Sequence, residues 1–104
     1  MTTVRHVVEE LTITIDAERR EAYLARDAEV WTPYLEACDG FLGKETWLPD
    51  DQPDTIVFII RWASTAQWKS ITPEQVAAVD RRMGDLQPTT LSCRSYQASS
   101  AQGN

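Results

Sequence analysis

The sequence predicts an α+β domain of the ferredoxin-like, split βαβ kind, in the order strand, helix, strand, strand, helix, strand. In that arrangement a four-stranded antiparallel sheet carries its helices on one face. Three observations point to it. Residues 9–15 alternate apolar with polar side chains, two separate segments follow the helical repeat, and between them two apolar runs flank the polar turn PDDQPD. With 104 residues, 42% hydrophobic and 25% charged, the chain has room for one core. Residues 1–97 are expected to form that single domain, and residues 98–104, ASSAQGN, a loose polar tail.

Val4 to Ile15 reads as the first strand, with Leu11, Ile13 and Ile15 on one side and Glu10, Thr12 and Thr14 on the other. Asp16 is placed to cap the helix that follows. From Ala17 to Cys38 a stripe of Ala17, Leu24, Ala28, Trp31, Leu35 and Cys38 has helical spacing. Pro33 lacks an amide donor, which predicts a kink near Glu29 to Thr32 or two abutting helices, and Gly40 is placed as the C-terminal cap. Phe41–Leu48 and Thr55–Ala63 are expected to pair as a hairpin across Pro49–Asp54. Ser64 caps a short helix, Thr65–Ser70. Thr72-Pro73-Glu74-Gln75 is a capping box that starts the next helix, with Val76, Val79, Met83 and Leu86 on one face. Thr89–Gln97 is the last strand.

The third strand bears on assembly. Ile56, Phe58, Ile60 and Trp62 point one way, and Val57, Ile59 and Arg61 the other, so both rows begin apolar. A strand wet on one side should alternate, and a nearly continuous apolar run implies cover on both sides. The helices can cover only one. Val57 and Ile59, extended by Val8 and by Leu91 or Tyr96, therefore predict a homodimer packed sheet to sheet. The alternative is β-propensity on a wet face.

Composition narrows the partners. A net charge of −6 argues against nucleic acid and anionic membrane surfaces, which reward basic patches. No apolar run approaches the roughly 20 residues that span a bilayer, and MTTVRHVVEE lacks the pattern of a signal peptide. A cytoplasmic location is the expectation, with Cys38 and Cys93 as reduced, packed thiols. No Cys/His/carboxylate group has metal-ligand spacing, no serine or cysteine sits in a nucleophile elbow, and no glycine-rich phosphate loop occurs. Neither metal nor cofactor is expected. His6 reads as a surface or interface residue.

The run VVEEL…VWTPYLEACDGFLGKETW…IRWAST…WKSI, across residues 4–97, resembles the antibiotic biosynthesis monooxygenase-like family of the dimeric α+β barrel superfamily, and within it a small, mostly cyanobacterial branch. The resemblance implies a sheet-to-sheet dimer and a ligand cavity in each subunit between sheet and helices. It also implies cofactor-independent oxidation of polyphenolic substrates in some members and haem degradation in others. Trp62 matches a strand tryptophan that lines the cavity in active branches, at its mouth. Glu9 stands where the haem-degrading branch carries an asparagine, and that branch's histidine ligand is missing, so the resemblance does not extend to haem degradation.

Two catalytic candidates follow. Glu9 shares a row with Val7, Leu11 and Ile13. A carboxylate among apolar side chains is pushed toward its neutral form and can serve as a proton acceptor; the alternatives are an ion pair with Arg81 or Arg82, or a solvated carboxylate. Trp62 is either a ligand-stacking wall or core. Trp31, Tyr34, Trp68 and Tyr23 are the candidate ligand-binding aromatics, for a small aromatic molecule, against the reading that they fill the core. Trp68 is expected to close the core behind Trp62, and Trp47 to face the dimer seam or the rim. An enzyme of monooxygenase type and a non-catalytic dimeric binding or sensing module both fit these residues.

Overall fold

The alternating first segment forms β1 (Thr2–Thr14), a central strand of the sheet that pairs on both sides. A computed structural model gives this fold, describing the backbone of residues 2–102 and the side chains of residues 5–99. After one turn of 3-10 helix, Ala17–Arg19, come α1 (Arg20–Glu29) and α2 (Trp31–Glu36). Then follow β2 (Phe41–Trp47), β3 (Thr55–Trp62), α3 (Thr65–Lys69), α4 (Pro73–Arg81) and β4 (Thr89–Gln102). The four strands are all antiparallel in the order β2-β3-β1-β4, and the helices lie on one face, as the ferredoxin-like reading requires.

Several local expectations hold for identifiable reasons. The long helical segment breaks at Val30, three residues before Pro33, which leaves Pro33 in the first turn of α2 where its missing amide costs little. Ser64 accepts from the Gln67 amide at 3.1 Å, and Thr72 and Gln75 form the reciprocal capping box. Gly40 has φ +86°, and a Cβ there would run into the Gln67 side chain, so the turn from α2 into β2 requires glycine.

Other expectations need correction. The Asp16 side chain makes no capping bond; the chain enters α1 through the 3-10 turn, where the Arg19 amide donates to the Asp16 carbonyl at 2.8 Å. The buried helical stripe is rotated from the one expected. Ala17 and Ala28 are exposed, and the inward line is Tyr23, Asp27, Val30 and Leu35. β4 does not end at Gln97: its backbone continues to Gln102, pairing with β1 back to Thr2. Gly103 and Asn104 of the expected tail lie outside the described residues.

The core joins the helix-facing row of the sheet, Ile13, Ile56, Phe58, Ile60 and Trp62, to Tyr23, Leu35, Val79, Met83 and Leu86. Arg19 and Arg26 tie the end of α4 to α1, through Asp85 Oδ2 at 3.0 Å and the Met83 carbonyl at 3.3 Å. Two register shifts displace single residues. Leu42, between Phe41 and Gly43, and Leu91, opposite the Thr12/Ile13 step, fall outside the pairing and point to solvent.

On the opposite face, Ile59 is only 4% exposed within one chain, since it lies between the cross-strand neighbours Glu10 and Glu45. This face is therefore less apolar at its surface than the sequence suggested. It presents Trp47, Val57 and Tyr96 among charged residues. Tyr96 donates to Glu10 at 3.0 Å, and the Trp47 indole to Glu45 at 3.0 Å.

Candidate functional site: a polar-floored aromatic cavity

Between the sheet and α1, α3 and α4 lies a cavity of about 590 Å³. Its floor is the helix-facing row of β1 and β3. Antiparallel pairing puts Glu9 beside Ile60, Leu11 beside Phe58 and Val7 beside Trp62. Aromatic rings form much of the rest: Trp31 and Tyr23 from the helices, Trp68 from α3. The volume falls in the range of small-molecule sites, and its wall pairs flat apolar surfaces with a few polar groups.

Glu9 is the central polar group. Its Oε1 accepts from the Trp62 indole Nε1 at 3.2 Å. Burial raises the carboxyl above its ordinary range, and the Trp62 hydrogen bond and the charges of Lys69 and Lys44 offset this only in part. Neither Arg81 nor Arg82 is paired with it among the described residues. Trp62 itself is 0% exposed and meets Phe41 edge to face, with centroids 5.9 Å apart. It is thus a buried wall of the cavity and not its mouth, and it fills the core at the same time. Trp68 is the partly exposed one, with Lys69 Nζ 4.0 Å above its ring. Trp68 also packs against the core, as expected of it, so the correction falls on the depth of Trp62.

Five of the six candidates meet at this cavity: Glu9, Trp62, Trp31, Trp68 and Tyr23. Tyr34 does not line it; it supports Trp31 edge-on from behind at 5.8 Å.

Sequence reasoning missed a buried ion pair in the wall. Lys44 Nζ lies 2.6 Å from Asp27 Oδ2, both side chains 8% exposed, and also donates to Thr32 Oγ1 at 3.2 Å. The ammonium sits 4.5 Å over the Phe58 ring. Burial pushes the Asp27 carboxyl up, and Lys44 draws it back in part. A signal was present: Asp27 is four residues from Tyr23 on the inward stripe, and Lys44 alternates into the helix-facing row of β2. Asp80, also in the wall, is raised by burial as well. Burial and Asp27 raise the Tyr23 phenol. Among the described residues, no group of three His, Cys, Asp or Glu is placed to hold a metal ion.

These shifts have a defined consequence for stability. A carboxyl whose folded pKa lies above its unfolded value favours folding below the unfolded value and loses that contribution as pH rises through the folded one. For Glu9 the window opens at about the ordinary glutamate value of 4.5 and extends upward. Glu9→Gln keeps an oxygen for the Trp62 indole and removes the buried charge. The variant is expected to melt a few degrees higher than the wild type at pH 7–8, with the difference closing below about pH 4.5. Calorimetric melting of both proteins across pH checks this; a difference that is constant with pH would contradict it.

A ferredoxin-like antiparallel sheet with its helices on one face and a polar-floored aromatic cavity between them defines a class of small α+β proteins. The family profile for antibiotic biosynthesis monooxygenases matches residues 6–72, and the chain belongs to that family. Solved structures share the fold at low identity. A protein of Bordetella bronchiseptica, described provisionally as an antibiotic biosynthesis monooxygenase, superimposes with a TM-score of 0.71 at 11% identity, covering 93% of this chain and 98% of that one. A monooxygenase from the gene ActVA-Orf6 of Streptomyces coelicolor, in complex with the ligand Nanaomycin D, gives 0.68 at 12% identity, covering 95% and 90%. A conserved protein from Methanosarcina mazei Go1 gives 0.66 at 6% identity, covering 91% and 92%. No curated protein matches the sequence significantly.

Proposed function

We propose that this protein binds a small, flat, hydroxylated aromatic molecule in the cavity and oxidises it with dioxygen without a cofactor. The observation that carries the reading is Glu9: a largely buried carboxyl, oriented by the Trp62 indole at 3.2 Å, in the wall of an aromatic cavity of about 590 Å³. A carboxyl raised toward neutrality is matched to accepting a proton from a weakly acidic hydroxyl. Trp62, Trp31 and Trp68 supply flat surface for the ring. In such a scheme the deprotonated ligand is the electron donor to oxygen. The ligand of the Streptomyces coelicolor protein is a precedent from the same fold.

The test joins binding to turnover. A thermal-shift screen of hydroxylated aromatics should yield a ligand that raises Tm, and that ligand should drive oxygen uptake. Glu9→Gln should bind it and lose about 10²-fold or more in rate, the share general-base catalysis supplies. Trp62→Phe should weaken both binding and rate. Binding with no oxygen uptake would make the protein a ligand-binding or sensing module. Unchanged turnover in both variants would overturn the assignment.

We also infer that two copies pair through the helix-free sheet face. Trp47, Val57 and Tyr96 give this face apolar surface. His6 Nε2 is buried there with no hydrogen-bond partner in one chain, and an orphaned polar atom of this kind usually has a partner elsewhere, whereas Arg61 Nη1 is already ion-paired with Glu45 Oε2 at 3.4 Å. A second copy could supply a partner to His6. Sedimentation at micromolar concentration should show particles of twice 11.8 kDa, and Val57→Glu should split them. Single-chain particles in the wild type would refute the pairing. Among the described residues no helix is long and apolar enough to cross a membrane, and a cytoplasmic site of action is proposed with the rest.

A further inference from the structure

The charges around the cavity are unequally committed. Lys44 is held by Asp27 at 2.6 Å. Lys69, the other cation of the wall, has no carboxylate within ion-pair distance among the described residues. Its Nζ rests 4.0 Å over the Trp68 ring, which keeps the ammonium beside the cavity. Resting on the ligand-binding reading above, we propose that Lys69 is the anion-holding residue of the cavity: it binds the oxygen of the ligand once Glu9 has taken its proton.

The charge balance supports this role. The titratable and charged groups that line the cavity with Lys69 are Glu9 on β1, Cys93 on β4, Lys44 on β2, Tyr23 and Asp27 on α1 and Asp80 on α4. Asp27 and Lys44 cancel as a pair. When a hydroxyl of the ligand gives its proton to Glu9, the ligand O–H bond breaks, a Glu9 O–H bond forms, and one negative charge moves from the carboxylate to the ligand oxygen. The total charge of the cavity is unchanged, but its position shifts from the buried floor toward the exposed side, where Lys69 stands. No other unpaired cation lines the wall among the described residues. The charge of Lys69 already acts on both Glu9 and Cys93, so its field reaches across the space a ligand would occupy. Lys69 is exposed, so solvent screening makes the effect smaller than that of a buried cation.

The probe is 4-nitrophenol, whose phenolate absorbs at longer wavelength than the phenol. Binding is followed separately by tryptophan fluorescence. In wild type the bound probe should ionise about 0.5–1 pH unit lower than in Lys69→Met, and Lys69→Arg should restore most of the difference. At a pH where the probe is largely anionic, Lys69→Met should bind it about 3–10-fold more weakly, the equivalent of that shift. Identical titrations in wild type and Lys69→Met, with binding intact, would overturn the role of Lys69 and leave the cavity reading standing. Failure of the wild type to bind the probe at all would overturn both. Because Lys69 is exposed on a five-residue helix, its substitution does not threaten the fold.

Discussion

Trp62→Ala is expected to cost about 3–5 kcal/mol, the range for emptying a fully buried tryptophan site. Trp62 is 0% exposed, packs edge to face on Phe41, and pairs with Val7 on one side of β3 and Phe41 on the other. Against a total stability of about 5–15 kcal/mol, this is enough to leave the variant marginal. Urea unfolding measures it: the midpoint should fall steeply while a loss below about 1 kcal/mol would show that the cavity side of the ring is already unsupported. Trp62→Phe separates packing from chemistry. It retains most of the apolar volume and removes the indole donor to Glu9 Oε1. That bond lowers the Glu9 pKa, so its loss should move the Glu9 titration further up, as NMR of the side-chain carboxyl would show. A downward movement would mean that water replaces the indole.

The second large effect belongs to the Asp27–Lys44 pair. Removing either partner alone, as Asp27→Ala or Lys44→Met, leaves an uncompensated charge in a site where both side chains are 8% exposed. The expected loss is about 3–5 kcal/mol for each. The double variant Asp27→Leu/Lys44→Met removes both charges and fills the space with apolar atoms. It should be more stable than either single variant, because desolvation of the pair offsets much of its attraction. A double-mutant cycle from urea unfolding checks the coupling. Additive losses would show that the two groups reach solvent independently. The substitutions also reshape the candidate site, since both residues line the cavity.

The architecture was legible because local and global signals agreed. Alternation in β1, the Thr72 capping box and glycine after α2 each named an element boundary, and the order of elements admitted few topologies. The candidate site was legible where one residue broke a pattern: Glu9 in an apolar row, Trp62 at a strand end. It failed where a helix had two defensible faces. The segment from Ala17 to Cys38 is rich in alanine, which packs or faces water with little difference in energy, so a stripe through Ala17 and Ala28 looked as good as the real one through Tyr23 and Asp27. Choosing the wrong face hid Asp27, and with it the reason for Lys44. Assigning depth to Trp62 and Trp68 was beyond sequence, since both are large and apolar and only the packing of α3 over β3 decides which is enclosed.

The pleat of β3 has an implication for how such a protein can change over time. Odd and even positions of one eight-residue segment serve separate surfaces, with Ile56, Phe58, Ile60 and Trp62 toward the cavity and Val57, Ile59 and Arg61 away from it. Drift at every second codon can therefore alter the helix-covered surface without disturbing the helix-free one, and the reverse. A single inserted or deleted codon would exchange the two inventories at once, so this short segment should tolerate many replacements and almost no change in length.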